Sequence, residues 1–205
     1  MTRVKFCGIT NVDDAELCAG HGAWALGLIF VPSSPRRCKQ SDAVAIAGAL
    51  RRRVTLAGVF QNATLDHVAR TAEAVGLDLV QLHGDEGPSY CAEVARRTGA
   101  KVAKAVRVAD RSDVVGLRAF HTDLHLLDGA GGEPFDWSLV AARGTDVPLV
   151  VAGGLTPGNV ADAIAATEPF AVDVASGVEA SPGRKDPVKV AAFAEAARAQ
   201  TTAVA

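Results

Sequence analysis

Two residues of this chain have side chains suited to moving protons, and each stands where an apolar run gives way to a glycine. Cys7 follows Arg3-Val4-Lys5-Phe6 and precedes Gly8, and Asp128 follows Leu126-Leu127 and precedes Gly129. A deprotonated thiol is a competent base. A carboxyl in a partly desolvated mouth can keep its proton toward neutrality and act as an acid. Each has a plainer explanation alone: a lone cysteine is more often a small buried side chain, and an aspartate before glycine often caps a turn. Together, at the ends of two strands, they form an acid–base pair.

Three further features could hold a substrate for that pair. Arg36 lies in Val31-Pro32-Ser33-Ser34-Pro35-Arg36-Arg37, where two prolines stiffen the loop. An arginine so presented can clamp a carboxylate, although a solvated surface arginine explains it equally well and suits Arg37 better. Gly153-Gly154 and Ser176-Gly177 each end an apolar run. One such pair is most simply a tight turn, but two in successive strand ends match a backbone phosphate cradle. His83, in His83-Gly84-Asp85, either touches substrate or caps a strand end; the residues leave both open.

The elements that must position these groups alternate along the chain. Strands are expected over 4–6, 25–30, 55–60, 77–82, 102–107, 124–128, 148–152 and 171–174. Helices are expected over 13–21, 42–50, 65–75, 88–98, 112–120, 135–143, 157–166 and 187–200, with caps at Ser41-Asp42, Thr156-Pro157 and Asp186-Pro187. Runs such as Leu26-Gly27-Leu28-Ile29-Phe30 are continuously apolar, the pattern of parallel strands buried on both faces. About eight strand–helix units favour an α/β fold, a single-domain (β/α)8 TIM barrel over 1–205 with a tail fraying after Arg198, and leave an open doubly wound sheet as the alternative. In a barrel, every candidate named above falls at the carboxyl ends of the strands, where such folds carry their active sites.

Composition excludes several classes. The 205 residues carry a net charge of −2, with 49% hydrophobic and 21% charged residues. That balance argues for neither nucleic acid nor an anionic membrane as partner. No apolar run has the roughly 20 residues that span a bilayer, and no signal-peptide core is visible, so a cytoplasmic location is expected. Cys7, Cys18, Cys38 and Cys91 contain no Cys-x-x-Cys pair; free thiols are expected rather than disulfides or zinc. An anionic small ligand would have to be held by local features, and both a monomer and a homodimer stay open.

Taken together, the motifs resemble the phosphoribosylanthranilate isomerase family, nearly end to end. The matching segments are Lys5-Phe6-Cys7-Gly8-Ile9-Thr10, Gly27-Leu28-Ile29-Phe30, Ser34-Pro35-Arg36, Gly58-Val59-Phe60 and Gln81-Leu82-His83-Gly84. They continue with Leu126-Leu127-Asp128, Phe135-Asp136-Trp137, Ala152-Gly153-Gly154-Leu155-Thr156-Pro157-Gly158-Asn159-Val160, Val172-Asp173-Val174-Ala175-Ser176-Gly177-Val178-Glu179 and Pro182-Gly183-Arg184-Lys185-Asp186.

The resemblance implies a (β/α)8 enzyme of tryptophan biosynthesis that performs an Amadori rearrangement without metal or cofactor. It implies Asp128 as general acid at the ribose ring oxygen and Cys7 as general base at the sugar C2. It implies Arg36 at the anthranilate carboxylate and backbone amides near Gly153, Gly154, Ser176 and Gly177 at the phosphate. The segment Gly129-Ala130-Gly131-Gly132-Glu133-Pro134 is shorter than the family's usual glycine-rich loop there. Two other readings compete. A histidine-pathway isomerase acting on a two-phosphate substrate would present aspartate in place of Cys7 and a second phosphate site at the half-way strand ends, for which His83-Gly84-Asp85 is a poor equivalent; a dual-substrate isomerase stays open. A non-catalytic phosphate-metabolite-binding barrel would have no use for the Cys7–Asp128 pair.

Overall fold

The computed structural model describes residues 1–203. Eight parallel strands close into a barrel in chain order: β1 Arg3–Cys7, β2 Ala25–Ile29, β3 Thr55–Phe60, β4 Leu79–Leu82, β5 Lys101–Val108, β6 Leu124–Gly129, β7 Leu149–Val151 and β8 Ala171–Val174. Closure is made by β1 on β8, with Arg3 opposite Ala171 and Phe6 opposite Val174. A (β/α)8 barrel it is; the open sheet is excluded by that pairing.

Helices cover the outer face: α1 Val12–Gly20, α2 Gln40–Leu50, α3 Leu65–Val75, α4 Pro88–Thr98, α5 Arg111–Gly116, α6 Val160–Thr167 and α7 Pro187–Ala203. Their starts are chemically legible. Asn11 accepts from the Asp14 amide, and Thr64 accepts from that of His67. Asp186 accepts from the Val188 and Lys189 amides, as expected.

Other expectations shift. Ser41-Asp42 caps nothing, because α2 begins at Gln40 behind Lys39. Thr156-Pro157 opens a turn, in which the Asn159 side chain accepts from the Thr156 amide, and α6 starts later, at Val160. The helix expected over 135–143 is 3-10, Trp137–Arg143, and the one over 112–120 passes from α5 into a 3-10 turn, Leu117–Ala119. Where the tail was expected to fray, α7 runs through Arg198 to Ala203; the last two residues lie outside the described ones.

Two apolar layers hold the barrel. Between strands and helices, Phe6 meets Phe193 edge-on at 6.0 Å and Phe30 stacks on Phe60 at 5.2 Å. Inside, Ala57, Ala103, Ala105 and Ala171 pack with Leu79, Leu124, Leu126 and Val150. Small side chains suit that narrow interior. At the amino end Trp24 closes on Phe170 at 5.1 Å, with the Arg3 guanidinium 4.2 Å over the Phe170 ring. That plug leaves the carboxyl end as the open mouth.

Candidate active site

Strand alternation decides which side chains meet. Cys7, Val59, Gln61, Gln81, His83, Leu126, Asp128, Asp173 and Ala175 stand at alternate positions of five strands and their ends, and all line one cavity of about 540 Å³ at the barrel mouth. Of the residues singled out in the sequence, Cys7, Arg36, His83, Asp128, Gly153, Gly154 and Ser176 share that lining. Gly177 does not. It lies in the 3-10 turn Ser176–Val178, where a Cβ would stand 1.9 Å from the Leu155 carbonyl oxygen. Its missing side chain lets the loops after β7 and β8 close on each other.

Cys7 is buried, and burial raises its thiol above the ordinary value. The Lys5 ammonium pulls it back, Asp173 pushes it further up, Lys185 pulls it down, and burial wins. Lys5, one inward step below on β1, donates to Asp173 Oδ2 at 2.6 Å. Burial opposes the charge on Lys5, but Asp173 and Cys7 outweigh it, so the ammonium is held firmly charged. The other Asp173 oxygen, Oδ1, is buried without a protein partner among the described residues. The thiol thus has a fixed positive charge beside it.

Asp128 faces His83 from across the mouth, Nε2 lying 3.1 Å from Oδ2 but off the line of a hydrogen bond. His83 Nδ1 lies 3.3 Å from the Gln81 Nε2 amide. With Nδ1 accepting, the ring hydrogen sits on the Asp128 side. His83 therefore neighbours Asp128.

The glycine turns are built for close approach. Gly153 has φ +87° and Gly154 φ +60°, and a Cβ on Gly153 would stand 2.0 Å from the Gly129 nitrogen. No other residue type fits there. Among the described residues the amides of Gly153 and Gly154 have no backbone acceptor, and donors of that kind are what a phosphate takes. Arg36 lines the opposite side, its Nε donating to both oxygens of Glu179 at 3.0 and 2.9 Å. Arg37 pairs with none of these groups; only its backbone bridges to Ile29.

Lys5, Gln81, Asp173, Glu179 and Lys185 were not singled out as site residues in the sequence. A lysine inside an apolar strand was the available signal for Lys5, since a buried ammonium demands an anion. Asp173, five residues before Val178 on the last strand, is that anion. Among the described residues no three His, Cys, Asp or Glu side chains gather as a metal would need.

The family model for N-(5'-phosphoribosyl)anthranilate (PRA) isomerase matches residues 4–196. The chain belongs to that family. A Citrifermentans bemidjiense protein named N-(5'-phosphoribosyl)anthranilate isomerase is 49% identical over 93% of this chain and 94% of its own. A phosphoribosylanthranilate isomerase crystal structure from Thermotoga maritima superposes with a TM-score of 0.90, at 41% identity, over 97% of this chain and 100% of its own. Another, in complex with reduced 1-(o-carboxyphenylamino)-1-deoxyribulose 5-phosphate, matches with a TM-score of 0.87 at 41% identity, over the same shares.

In this isomerase family member the loop after Asp128, read from the sequence as short, still reaches the site. It folds as a 3-10 turn, Ala130–Gly132, and Gly131 and Gly132 line the cavity. Pro134 and Glu133 press on Gly154, where a Cβ would come within 2.5 Å of Pro134. The trimmed loop therefore leans on the phosphate-type turn.

Proposed function

We propose that Asp128 and Cys7 carry out, as acid and base, the aldose–ketose isomerisation of N-(5'-phosphoribosyl)anthranilate in tryptophan biosynthesis. The activity follows from family membership; the residue roles are what the proposal adds. The single observation that carries them is that Cys7, Asp128, Arg36 and the Gly153-Gly154 turn line one cavity.

In this reading the sugar phosphate sits on the backbone amides after β7 and β8, near Gly153, Gly154 and Ser176, with Gly177 shaping the turn behind them. The anthranilate carboxylate lies at Arg36. Asp128 gives its proton to the furanose ring oxygen, which breaks the C1–O bond and leaves an iminium between C1 and the aromatic nitrogen. His83 stands beside Asp128, its Nε2 3.1 Å from Oδ2. The C2 proton, acidified by the iminium, passes to Cys7, and the electron pair flows into an enolamine. Tautomerisation adds a proton to C1 and removes the C2 hydroxyl proton, which yields the ketone.

Burial alone would leave Cys7 a poor base. Positive charges offset it, permanent ones on Lys5 and Lys185 and a transient one on the iminium, because a nearby cation favours the thiolate. The step that needs the base thus creates part of what ionises it. No residue in this scheme requires a metal or an organic cofactor. The chain is read as one catalytic domain over 1–205, working in the cytoplasm as a monomer or homodimer; its four cysteines are free, as a reducing compartment would keep them.

Purified protein is expected to consume the fluorescent phosphoribosylanthranilate with no added metal or cofactor. Cys7→Ala and Asp128→Asn should fold as the wild type does and lose about 10²-fold or more in kcat, since general acid–base catalysis contributes about 10²–10⁴-fold. Near wild-type kcat in either variant removes that residue from its role. A non-catalytic phosphate binder would bind the substrate and leave its fluorescence unchanged.

A further inference from the structure

After β8 the chain makes a short hairpin, β9 Glu179–Ser181 and β10 Arg184–Lys185, that the barrel itself does not require. Two of its charged side chains are buried, Lys185 at 0% exposure and Glu179 at 4%, while Arg184 is exposed. Ions are withdrawn from water only where each is paired and hydrogen-bonded, and these two satisfy each other and the site around them. Lys185 Nζ donates to Glu179 Oε1 at 3.2 Å, to the Cys7 carbonyl at 2.7 Å and to the Ala175 carbonyl at 3.0 Å. Glu179 Oε1 also accepts from the Gly183 amide at 3.3 Å. Burial works to raise the Glu179 carboxyl, but the Arg36 hydrogen bonds and the charges of Lys185 and Arg36 outweigh it and leave it lowered, hence ionised.

The third member is Arg36. Its Nε meets both Glu179 oxygens, and its Nη2 lies 2.8 Å from Oε2. The stem lies over Gly8, where a Cβ would come within 2.8 Å of Arg36 Cδ. With its Nε edge and stem so held, the guanidinium plane has little freedom. What remains for a ligand is the end-on edge, Nη1 and the second hydrogen of Nη2, on a residue that lines the cavity. One anion against two cations leaves a positive charge over. That surplus, at a fixed edge, is what an incoming carboxylate needs.

We infer that Glu179 is a positioning residue that orients Arg36 for the aromatic carboxylate and, through Lys185, ties that clamp to the Cys7 strand and the β8 loop. The inference rests on the isomerase reading and deepens it. Selection for an ortho-carboxylated amine is set by the triad of Arg36 with the buried Glu179 and Lys185, and not by Arg36 alone. Glu179 touches no reacting atom, so its loss should appear in substrate binding more than in turnover.

The test measures kcat and KM for phosphoribosylanthranilate and for the phosphoribosyl derivative of aniline, which lacks the carboxylate. Wild type should favour the carboxylated substrate. In Glu179→Gln that preference should fall on the order of tenfold, the scale of one charge-assisted hydrogen bond, through KM, with kcat nearly kept. In an Arg36→Met background the same change should alter the preference no further. A folded Glu179→Gln that keeps the wild-type preference overturns the inference, as does an equal KM rise for both substrates. If Glu179→Gln does not fold, Glu179→Asp replaces it: retracting the carboxylate by one methylene should raise KM for the carboxylated substrate alone, and equal rises overturn the inference. A wild type inactive on phosphoribosylanthranilate would overturn the isomerase reading first and this inference with it.

Discussion

Cys7 is a thiol that its own surroundings discourage from ionising. Burial raises it, and Lys5 and Lys185 return only part of the loss. The sign follows directly. A raised value means the free protein holds the thiol protonated at neutral pH, and the thiolate grows in as pH rises past the ordinary thiol value of about 8.5. Alkylation by iodoacetamide, corrected with Cys7→Ala, should therefore speed up with an inflection above that value. An inflection below it would mean Lys5 outweighs burial, and the iminium would then be unnecessary to the base. The ketone product should protect the thiol from alkylation, because it would occupy the cavity that Cys7 lines.

At the scale of elements, the thiol's place depends on a neighbour with no side chain. Cys7 pairs with Gly27 across β1 and β2, and a Cβ on Gly27 would stand 2.5 Å from Cys7 Sγ. Gly27→Ala must push the sulfur aside. Overpacking of this kind costs about 1–3 kcal/mol, and a displaced base should lower kcat about tenfold or more. Melting curves and kcat check the two together; an unchanged kcat would show that Gly27 does not set the sulfur's position. On the other side of the mouth, the loop that carries His83 is pinned from below. Lys104 donates to Glu86 at 3.0 Å and to the Gly84 carbonyl at 2.5 Å, and Glu86 accepts from the Asn62 and Gly84 amides at 2.7 and 2.8 Å. Lys104, inside the apolar run of β5, carried the same signal as Lys5, but Glu86, in the loop after β4, reads as solvated until its partner strand is known.

Over the whole molecule, closure of β1 on β8 brings the first strand's Lys5 and Cys7 beside the last strand's Asp173 and the hairpin's Lys185, across 168 and 178 residues of chain. Acid should therefore loosen the mouth. Glu179 has its folded value below its unfolded one, so the stability it adds is complete above about pH 4.3, the free glutamate value, and is lost as pH falls through the lower folded value. The melting temperature should drop across that window, less steeply in Glu179→Gln than in wild type; parallel slopes would take Glu179 out of the acid response. Being buried, this contribution should survive added salt. The exposed Glu93, whose hydrogen bonds from Arg96 and Arg97 lower it to about 2, should lose its share to salt.

The sequence by itself determined the repeating units and the ends of the strands, since continuous apolar runs and glycine turns are local signals. It determined too, through motifs such as Lys5-Phe6-Cys7-Gly8 and Ala152-Gly153-Gly154, the family to which they belong. Several elements were misjudged locally, among them the starts of α2 and α6 and the 3-10 segments at Leu117 and Trp137, because cap and helix type depend on the packing that follows. Only the tertiary structure decided that Lys5 faces Asp173, that His83 stands against Asp128, that Gly177 shapes the cradle from behind, and that Arg36 is held by Glu179. Each of these is a contact between distant strands or loops, fixed by register and barrel closure, and an ion pair has no sequence signature until its two halves meet.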